Sequence, residues 1–137
     1  MLVKDFMTHG PASVSPDDDI RVIFNMLSDR RIRQAPVVEK NKLIGIITDR
    51  DLRMTLVQNV TEPNLTVRNI MTPDPVTVSE DSSLEEAGGV LTSHKFNATP
   101  VLSADGELTG IITTTDILKG ILRIIEIPKT KGPLISK

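Results

Sequence analysis

The sequence Leu43-Ile44-Gly45-Ile46-Ile47-Thr48-Asp49-Arg50-Asp51-Leu52 occurs a second time, with substitutions, as Leu108-Thr109-Gly110-Ile111-Ile112-Thr113-Thr114-Thr115-Asp116-Ile117. In each copy, a glycine within an apolar, β-branched run is followed by Thr-x-x-Asp and another apolar residue. The apolar run predicts a buried strand, and the Thr-x-x-Asp pattern predicts a helix that begins directly after it. We therefore expect two strand-to-helix units of the same design.

The two units belong to a repeat that extends over most of the chain. Met7 and Met71 lie 64 positions apart, whereas Gly45 and Gly110 lie 65 apart. The additional residue falls within residues 103–107, which have the composition of a hairpin turn, where an insertion is tolerated. A repeat of this length indicates an internal duplication.

Each repeat is predicted to have the order βαββα. In the first repeat, Ser15 is the expected helix N-cap and Pro16 the expected first helical residue. The apolar residues that follow recur at helical spacing, at Ile20, Ile23, Phe24 and Leu27. Strands are predicted over residues 34–38 and 43–47, and a helix over about residues 49–57. The last helix is predicted from about residue 116 to residue 125.

The predicted fold class is mixed α/β (α+β), with two βαββα units. The first repeat is placed at residues 1–60, a linker at 61–66, the second repeat at 67–125 and an irregular tail at 126–137. A unit of about 60 residues buries too little surface to be stable by itself. The two repeats are therefore expected to pack against each other about a pseudo-two-fold axis, as one domain.

Composition disfavours several classes of function. The 137 residues carry a formal charge of −2, and aromatic residues make up 2%, so neither a basic surface nor a base-stacking platform is indicated and nucleic-acid binding is not expected. There is no Cys, which excludes thiolate nucleophiles and thiolate zinc sites. His9 and His94 are not repeated in the other half, so no metal site is predicted. Without a nucleophile–base pair, an enzyme is not expected.

No signal peptide and no apolar span of membrane length stands out in the sequence. The expected location is therefore the cytoplasm, without membrane association.

The Thr-x-x-Asp pattern has two compatible interpretations. In the first, Thr48 and Asp51, like Thr113 and Asp116, form a capping box that only stabilises a helix. In the second, the same helix N-terminus presents free N–H groups to a phosphate, while the hydroxyl and the carboxylate contact other parts of the ligand. The occurrence of the pattern at equivalent places in both repeats favours a paired ligand cleft.

The ordered set of motifs resembles the cystathionine-β-synthase (CBS) domain, present as a tandem pair, or Bateman module, of the small stand-alone type. The resemblance covers about residues 3–123. It is carried by Val-x-x-Phe/Ile-Met-Thr at residues 3–8 and 67–72, by Ala/Thr-Pro-Val after Gln34 and Ala98, and by Gly-Ile-Ile-Thr-x-x-Asp. It implies a regulatory module that senses AMP, ADP, ATP or S-adenosylmethionine and forms a homodimer through helix faces.

The resemblance also implies roles for individual residues. It places Asp51 and Asp116 on the ribose hydroxyls. Near the phosphates it places Thr48, Arg50, Thr113 and Thr115. Around the base it places Ala35, Pro36, Thr99 and Pro100, with Arg33 and Asn97 in reach of the ligand. Since Arg50 adds a guanidinium where the second repeat has Thr115, the Asp51 site is expected to favour the more highly charged phosphate.

Two alternatives stay open. The chain is a protein-interaction scaffold if its clefts bind no ligand and its Thr-x-x-Asp motifs act only as caps. A weaker possibility is a regulator of DNA or RNA binding, which a strong salt dependence with nucleic acid would reveal. In the sensor interpretation, an unidentified protein target responds to the ligand.

Overall fold

The computed structural model describes residues 1–58 and 64–126, and it has the predicted mixed α/β architecture. The helices are a short 3-10 turn at Val3–Asp5, α1 (Ile20–Arg30), α2 (Asp49–Gln58), α3 (Val67–Ile70), α4 (Leu84–His94) and α5 (Thr114–Glu126). The strands are β1 (Thr8–His9), β2 (Gln34–Glu39), β3 (Lys42–Thr48), β4 (Thr72–Pro73), β5 (Val78–Ser79), β6 (Ala98–Leu102) and β7 (Leu108–Thr113). The predicted linker lies partly, and the predicted tail almost wholly, outside the described residues.

Two sheets form the frame, and each contains one of the predicted hairpins. One has the strand order β2-β3-β4, and the other has the order β1-β7-β6-β5. β2 and β3 are antiparallel with Val37 opposite Gly45, and β6 and β7 are antiparallel with Val101 opposite Gly110. The glycine of each motif therefore lies at the same register position in both sheets.

The two repeats exchange their outer strands. β1, from the first repeat, pairs with β7 of the second, with Thr8 opposite Ile111. β4, from the second repeat, pairs with β3 of the first, with Thr72 opposite Ile46. Because the exchange is reciprocal, it ties the halves into one domain and has the form that a two-fold relation between the repeats requires.

The segments that precede these exchanged strands also complete the other repeat's core. Val3 and Val67 are fully buried, each in the cluster around the opposite repeat's first long helix. The N–H of Val3 donates to the carbonyl oxygen of Ser82 at 2.8 Å, and the N–H of Val67 donates to that of Asp18 at 2.9 Å. Neither repeat can therefore fill its core without the other.

Ion pairs on the surface also join each exchanged segment to the opposite repeat. Lys4 lies 3.1 Å from Asp81, and the equivalent Arg68 lies 3.7 Å from Asp17 and 2.6 Å from Glu39. The pKa of Lys4 is raised, first by its hydrogen bond to Asp81, and the pKa of Arg68 is raised, first by its hydrogen bond to Glu39. Exposed pairs of this kind contribute little stability, so burial of the exchanged segments holds the halves together.

The predicted start of the first helix is wrong by several residues. α1 begins at Ile20, and its N-cap is Asp19, whose carboxylate accepts a hydrogen bond from the N–H of Arg21 at 2.8 Å. Ser15 instead takes part in a separate turn, because its N–H donates to the Asp18 carboxylate at 2.9 Å. Among residues 1–58 and 64–126, no helix is long and apolar enough to span a bilayer.

Candidate functional site

The second Thr-x-x-Asp motif forms a complete capping box between β7 and α5. The N–H of Asp116 donates to the Thr113 hydroxyl at 3.1 Å, and the N–H of Thr113 donates to an Asp116 carboxylate oxygen at 2.9 Å. Asp116 is 8% exposed, so most of its carboxylate is enclosed by the chain. The motif therefore stabilises the strand-to-helix turn whether or not a ligand is bound.

The first motif makes only half of this arrangement. The N–H of Asp51 donates to the Thr48 hydroxyl at 3.1 Å, as in the second repeat. Within the described ranges, no hydrogen bond reaches the Asp51 carboxylate, and Asp51 is partly exposed. Of the two motif carboxylates, Asp51 is therefore the one that a ligand can reach without breaking a cap.

A cavity of about 770 Å³, the first cleft, lies between the first motif and the second repeat. The first repeat contributes the start of α2, and the second repeat contributes the connector from α4 to β6. The residues on its surface include Thr48, Asp49, Arg50, Arg53, Lys95, Phe96 and Asn97.

A cavity of about 500 Å³, the second cleft, has the converse arrangement. Here the second repeat contributes β7 and the start of α5, and the first repeat contributes the connector from α1 to β2 together with the segment after β1. Its surface includes Pro11, Ala12, Arg31, Ile32, Ile111, Thr113 and Thr115. Both clefts are therefore composite, with the motif of one repeat facing the connector of the other.

The two clefts differ in charge. The first carries four basic side chains and one carboxylate, that of Asp49, which lies 3.9 Å from the Arg53 guanidinium. Arg50 is exposed in the first turn of α2, where a cation is unfavourable next to the positive end of the helix dipole unless an anion is present. The second cleft has fewer charges and more carbon on its walls. The first cleft therefore suits an anion better than the second.

Half of the predicted site residues lie on these surfaces. The first cleft contains Thr48 and Arg50, the second contains Thr113 and Thr115, and both contain Arg33 and Asn97. Asp51 and Asp116 are not among the residues that line either cleft.

The side chains predicted to surround the base do not line the clefts. Those of Ala35, Pro36, Thr99 and Pro100 are buried in the chain's own core. Contact between their backbone and a base stays a prediction. The Thr99 hydroxyl is used internally, because it donates to the carbonyl oxygen of Val76 at 2.5 Å. The preceding residues, Gln34 and Ala98, line both clefts instead.

Sequence reasoning also missed the segment after β1. Thr8, Pro11 and Ala12 line the second cleft because β1 pairs with β7, next to the second motif. The Met-Thr motif could be recognised in the sequence, but its pairing with β7 could not be predicted. A contact between repeats is what brings this segment to the site.

Comparison with known proteins agrees with this architecture. The sequence profile of the CBS domain matches residues 3–58 and, separately, residues 67–123. The chain is 32% identical over 114 residues to inosine-5′-monophosphate dehydrogenase of Korarchaeum cryptofilum, but it spans only 23% of that protein. It is 32% identical to a CBS domain-containing protein of Dictyostelium discoideum, a match that covers 92% of this chain and 94% of that protein.

Solved structures show the same fold. The structure of CBSX2, a CBS-pair protein from Arabidopsis thaliana, in complex with AMP has 30% identity and a TM-score of 0.79, covering 90% of this chain and 98% of that one. The CBS domain pair of protein MJ0100, in complex with 5′-methylthioadenosine and S-adenosyl-L-methionine, has 27% identity and a TM-score of 0.78, with coverage of 90% and 98%.

Proposed function

This chain belongs to the CBS-domain family, of which it carries two repeats in tandem, and on that premise we propose that it is a regulatory module that binds an adenosine-containing nucleotide between its repeats. The observation that carries this proposal is the pair of composite clefts, each with a helix N-terminus and a motif threonine at its surface. The adenosyl ligands of CBSX2 and the MJ0100 domain pair support the choice of ligand class.

In this function, the motif residues act on the sugar and the phosphates. At the start of α2 and α5, the N–H groups of Arg50 and Thr115 attract phosphate oxygens, because the N–H groups on either side of each already have acceptors within the chain. The hydroxyls of Thr48 and Thr115 donate further hydrogen bonds to the phosphates. The Asp51 carboxylate accepts hydrogen bonds from the ribose hydroxyls. In the second cleft, the Asp116 carboxylate accepts such hydrogen bonds through the oxygen that does not accept the N–H of Thr113. No reaction is proposed, because neither cleft brings a nucleophile and a base together among the described residues.

The module acts as a homodimer and passes its signal to another protein. One side of α5 carries exposed apolar residues at helical spacing, at Leu118, Ile121, Leu122 and Ile125. An exposed apolar surface of this kind is typical of an interface. A ligand that binds one arrangement of the two repeats more tightly shifts the population toward it, and so biases the dimer and its target.

A ligand screen by thermal unfolding tests the function. AMP, ADP, ATP, S-adenosylmethionine and NAD are each added at millimolar concentration. A compound present at 100 times its dissociation constant stabilises the folded state by about 2.7 kcal/mol, which shifts the midpoint by several degrees. We expect at least one adenosyl compound to give such a shift. If none does, the module is a scaffold and not a sensor.

Paired aspartate variants separate binding from capping. In Asp51→Ala with Asp116→Ala, we expect the ligand shift to disappear. The free energy of unfolding should fall by about 1 kcal/mol, because the Asp116 carboxylate caps its helix whereas that of Asp51 accepts no hydrogen bond among the described residues. The matched control replaces both residues with Asn, which keeps an oxygen that can accept the N–H of Thr113 but removes the charge. It should recover the stability while ligand affinity stays reduced. An Ala double variant that loses stability yet binds the nucleotide normally would rule out these carboxylates as ligand contacts.

A further inference from the structure

The two repeats expose helix pairs of the same arrangement but different composition. Helices α1 and α2 pack against each other in the first repeat, and α4 and α5 do so in the second. We call the outer surface of α1 and α2 the first face and that of α4 and α5 the second face. Because the chain is duplicated, each residue of α1 has a counterpart 64 positions later in α4, and each residue of α2 has one 65 positions later in α5. Any difference between the faces is therefore a difference of side chains at matched positions.

The second face carries an apolar ridge, formed along α5 by Leu118, Ile121, Leu122 and Ile125. Each of these side chains is at least 45% exposed. Of the ten large apolar side chains that are exposed in the described part of the chain, five belong to α5. So much exposed carbon on one helix is typical of a surface that another molecule covers.

The first face carries an apolar groove instead of a ridge. A cavity of about 450 Å³ is lined by Phe24 from α1 and by a run of α2 residues, namely Arg53, Met54, Leu56, Val57 and Gln58. Val57 is 78% exposed in the single chain. A hydrophobic groove of this kind can receive the apolar side of a helix. The chain thus carries both halves of a helix-in-groove contact, one on each repeat.

The faces are also complementary at Phe24 and its counterpart, Gly88. Phe24 adds an aromatic ring to the first face. Gly88 has no side chain, and it borders a cavity of about 410 Å³ whose walls include Leu91 and Ile117. A Cβ added at Gly88 would lie 3.8 Å from Ile117, an ordinary van der Waals distance. A bulky side chain on one face therefore matches open space on the other.

The exposed charges of the two faces differ in the same complementary way. Arg21 is exposed on α1, and its counterpart Glu85 is exposed on α4. Arg53 is exposed on α2, and its counterpart is Leu118 of the ridge. Contact between two first faces would gather arginines on one interface, and contact between two second faces would gather glutamates. Contact between unlike faces places Arg21 and Glu85 on the same interface, which favours this pairing.

We propose that two copies of this chain associate head to tail, with the second face of each copy on the first face of its partner. The α5 ridge of one copy lies in the groove of the other, and the partner's Phe24 fills the space at Gly88. Around a two-fold axis both contacts are made twice, so neither ridge nor groove stays exposed. This arrangement rests on the homodimer proposed above and adds to it which repeats meet. In a head-to-head dimer, the first faces would instead meet groove to groove.

Introduced cysteines distinguish the two arrangements, because the chain has no Cys of its own. Val57 in the groove and Leu122 in the ridge are counterparts, so they face each other only if unlike repeats meet. Val57→Cys and Leu122→Cys, mixed and treated with a short bismaleimide, should give a crosslinked dimer with one chain of each kind. Either variant alone should give little. Lys42→Cys, at an exposed position of the β2–β3 hairpin, is the control and should crosslink with neither.

Sedimentation velocity of the unmodified chain separates failure of the pairing from failure of the dimer. A dimer in which Leu122→Cys crosslinks to itself, with no preference for the mixed product, is head to head; it overturns the pairing and leaves the homodimer intact. A dimer that crosslinks at none of these sites also overturns the pairing, because its interface lies elsewhere. A chain that stays monomeric overturns the homodimer and the pairing together.

Moving the bulky side chain from one face to the other tests the contact at Gly88. Gly88→Phe should fit its own chain, since Phe24 occupies the matched position in the first repeat. It should collide with the partner's Phe24 and weaken association by about tenfold or more. Adding Phe24→Ala should restore association, because each contact again joins a large and a small side chain. Circular dichroism checks that both variants fold. If the second substitution brings no recovery, the partner's Phe24 does not lie at Gly88.

Discussion

Replacing Gly110 with alanine is expected to lower the free energy of unfolding by about 3 kcal/mol, the upper end of the usual cost of overpacking a core. A Cβ at this position would lie 2.8 Å from the carbonyl oxygen of Thr8 and 2.5 Å from the sulfur of Met7. The Met7 side chain can turn away, but the carbonyl oxygen can move only if β1 moves. Since β1 is the exchanged strand, the substitution acts on the contact that joins the repeats.

Gly45 should behave in the same way, because its added Cβ would lie 2.9 Å from the carbonyl oxygen of Thr72. The matched control is Gly89→Ala. Gly89 lies inside α4, and a Cβ there would meet nothing within 4 Å. That variant should be more stable by about 0.5–1 kcal/mol, because glycine is unfavourable in a helix interior. Urea unfolding followed by circular dichroism gives both values. If Gly110→Ala is as stable as the parent, β1 does not pack on β7 as described.

Local pattern was enough to predict the repeated unit. The apolar run before Thr48 predicted a strand, and the motif predicted a helix directly behind it; β3 and α2 follow in that order. These predictions succeed because both signals act between residues close together in the chain. The caps also join residues that are close together in the chain, and the N–H groups of Asp51 and Asp116 donate to the motif threonines as predicted.

The exchange of outer strands could not be predicted in this way. β1 and β4 have two residues each, which is too short for an alternating pattern to show. Their partners lie far away in the sequence, and pairing over such a distance leaves no local signal. Only a hint was present: the glycine opposite each exchanged strand recurs in both repeats, and a glycine inside a strand often marks the close approach of another backbone.

The sequence did not show which side chains of β2 and β6 line the clefts. Arg33 and Asn97, predicted to be in reach of a ligand, line both clefts, whereas the side chains of Ala35 and Thr99, predicted near the base, lie in the core. Side chains of a strand alternate between its two faces, so residues one position apart in the chain face the cleft and the core. The sequence shows an apolar strand but not which of its faces is covered by helices.

The second large effect is expected on the exposed side of α5. Leu122→Glu should convert the proposed homodimer into a monomer. Leu122 is 55% exposed in the single chain, and it lies among Leu118, Ile121 and Ile125 on the helix side that points away from the core. In a symmetric dimer the substitution is present twice. If burial of each leucine contributes about 2 kcal/mol, its loss weakens association by about 4 kcal/mol, which is about a thousandfold.

Burying the introduced carboxylates without a partner would add to that loss, because a desolvated charge is costly. The fold of the chain should survive, since the leucine is not part of either core. Sedimentation velocity over a range of concentrations gives the association constant, and circular dichroism checks the fold. The matched control, Lys119→Glu, introduces the same side chain at an exposed position on the flank of the same helix. It should change association far less. Equal dissociation of both variants would point to general charge repulsion, and an unchanged dimer in Leu122→Glu would place the interface elsewhere.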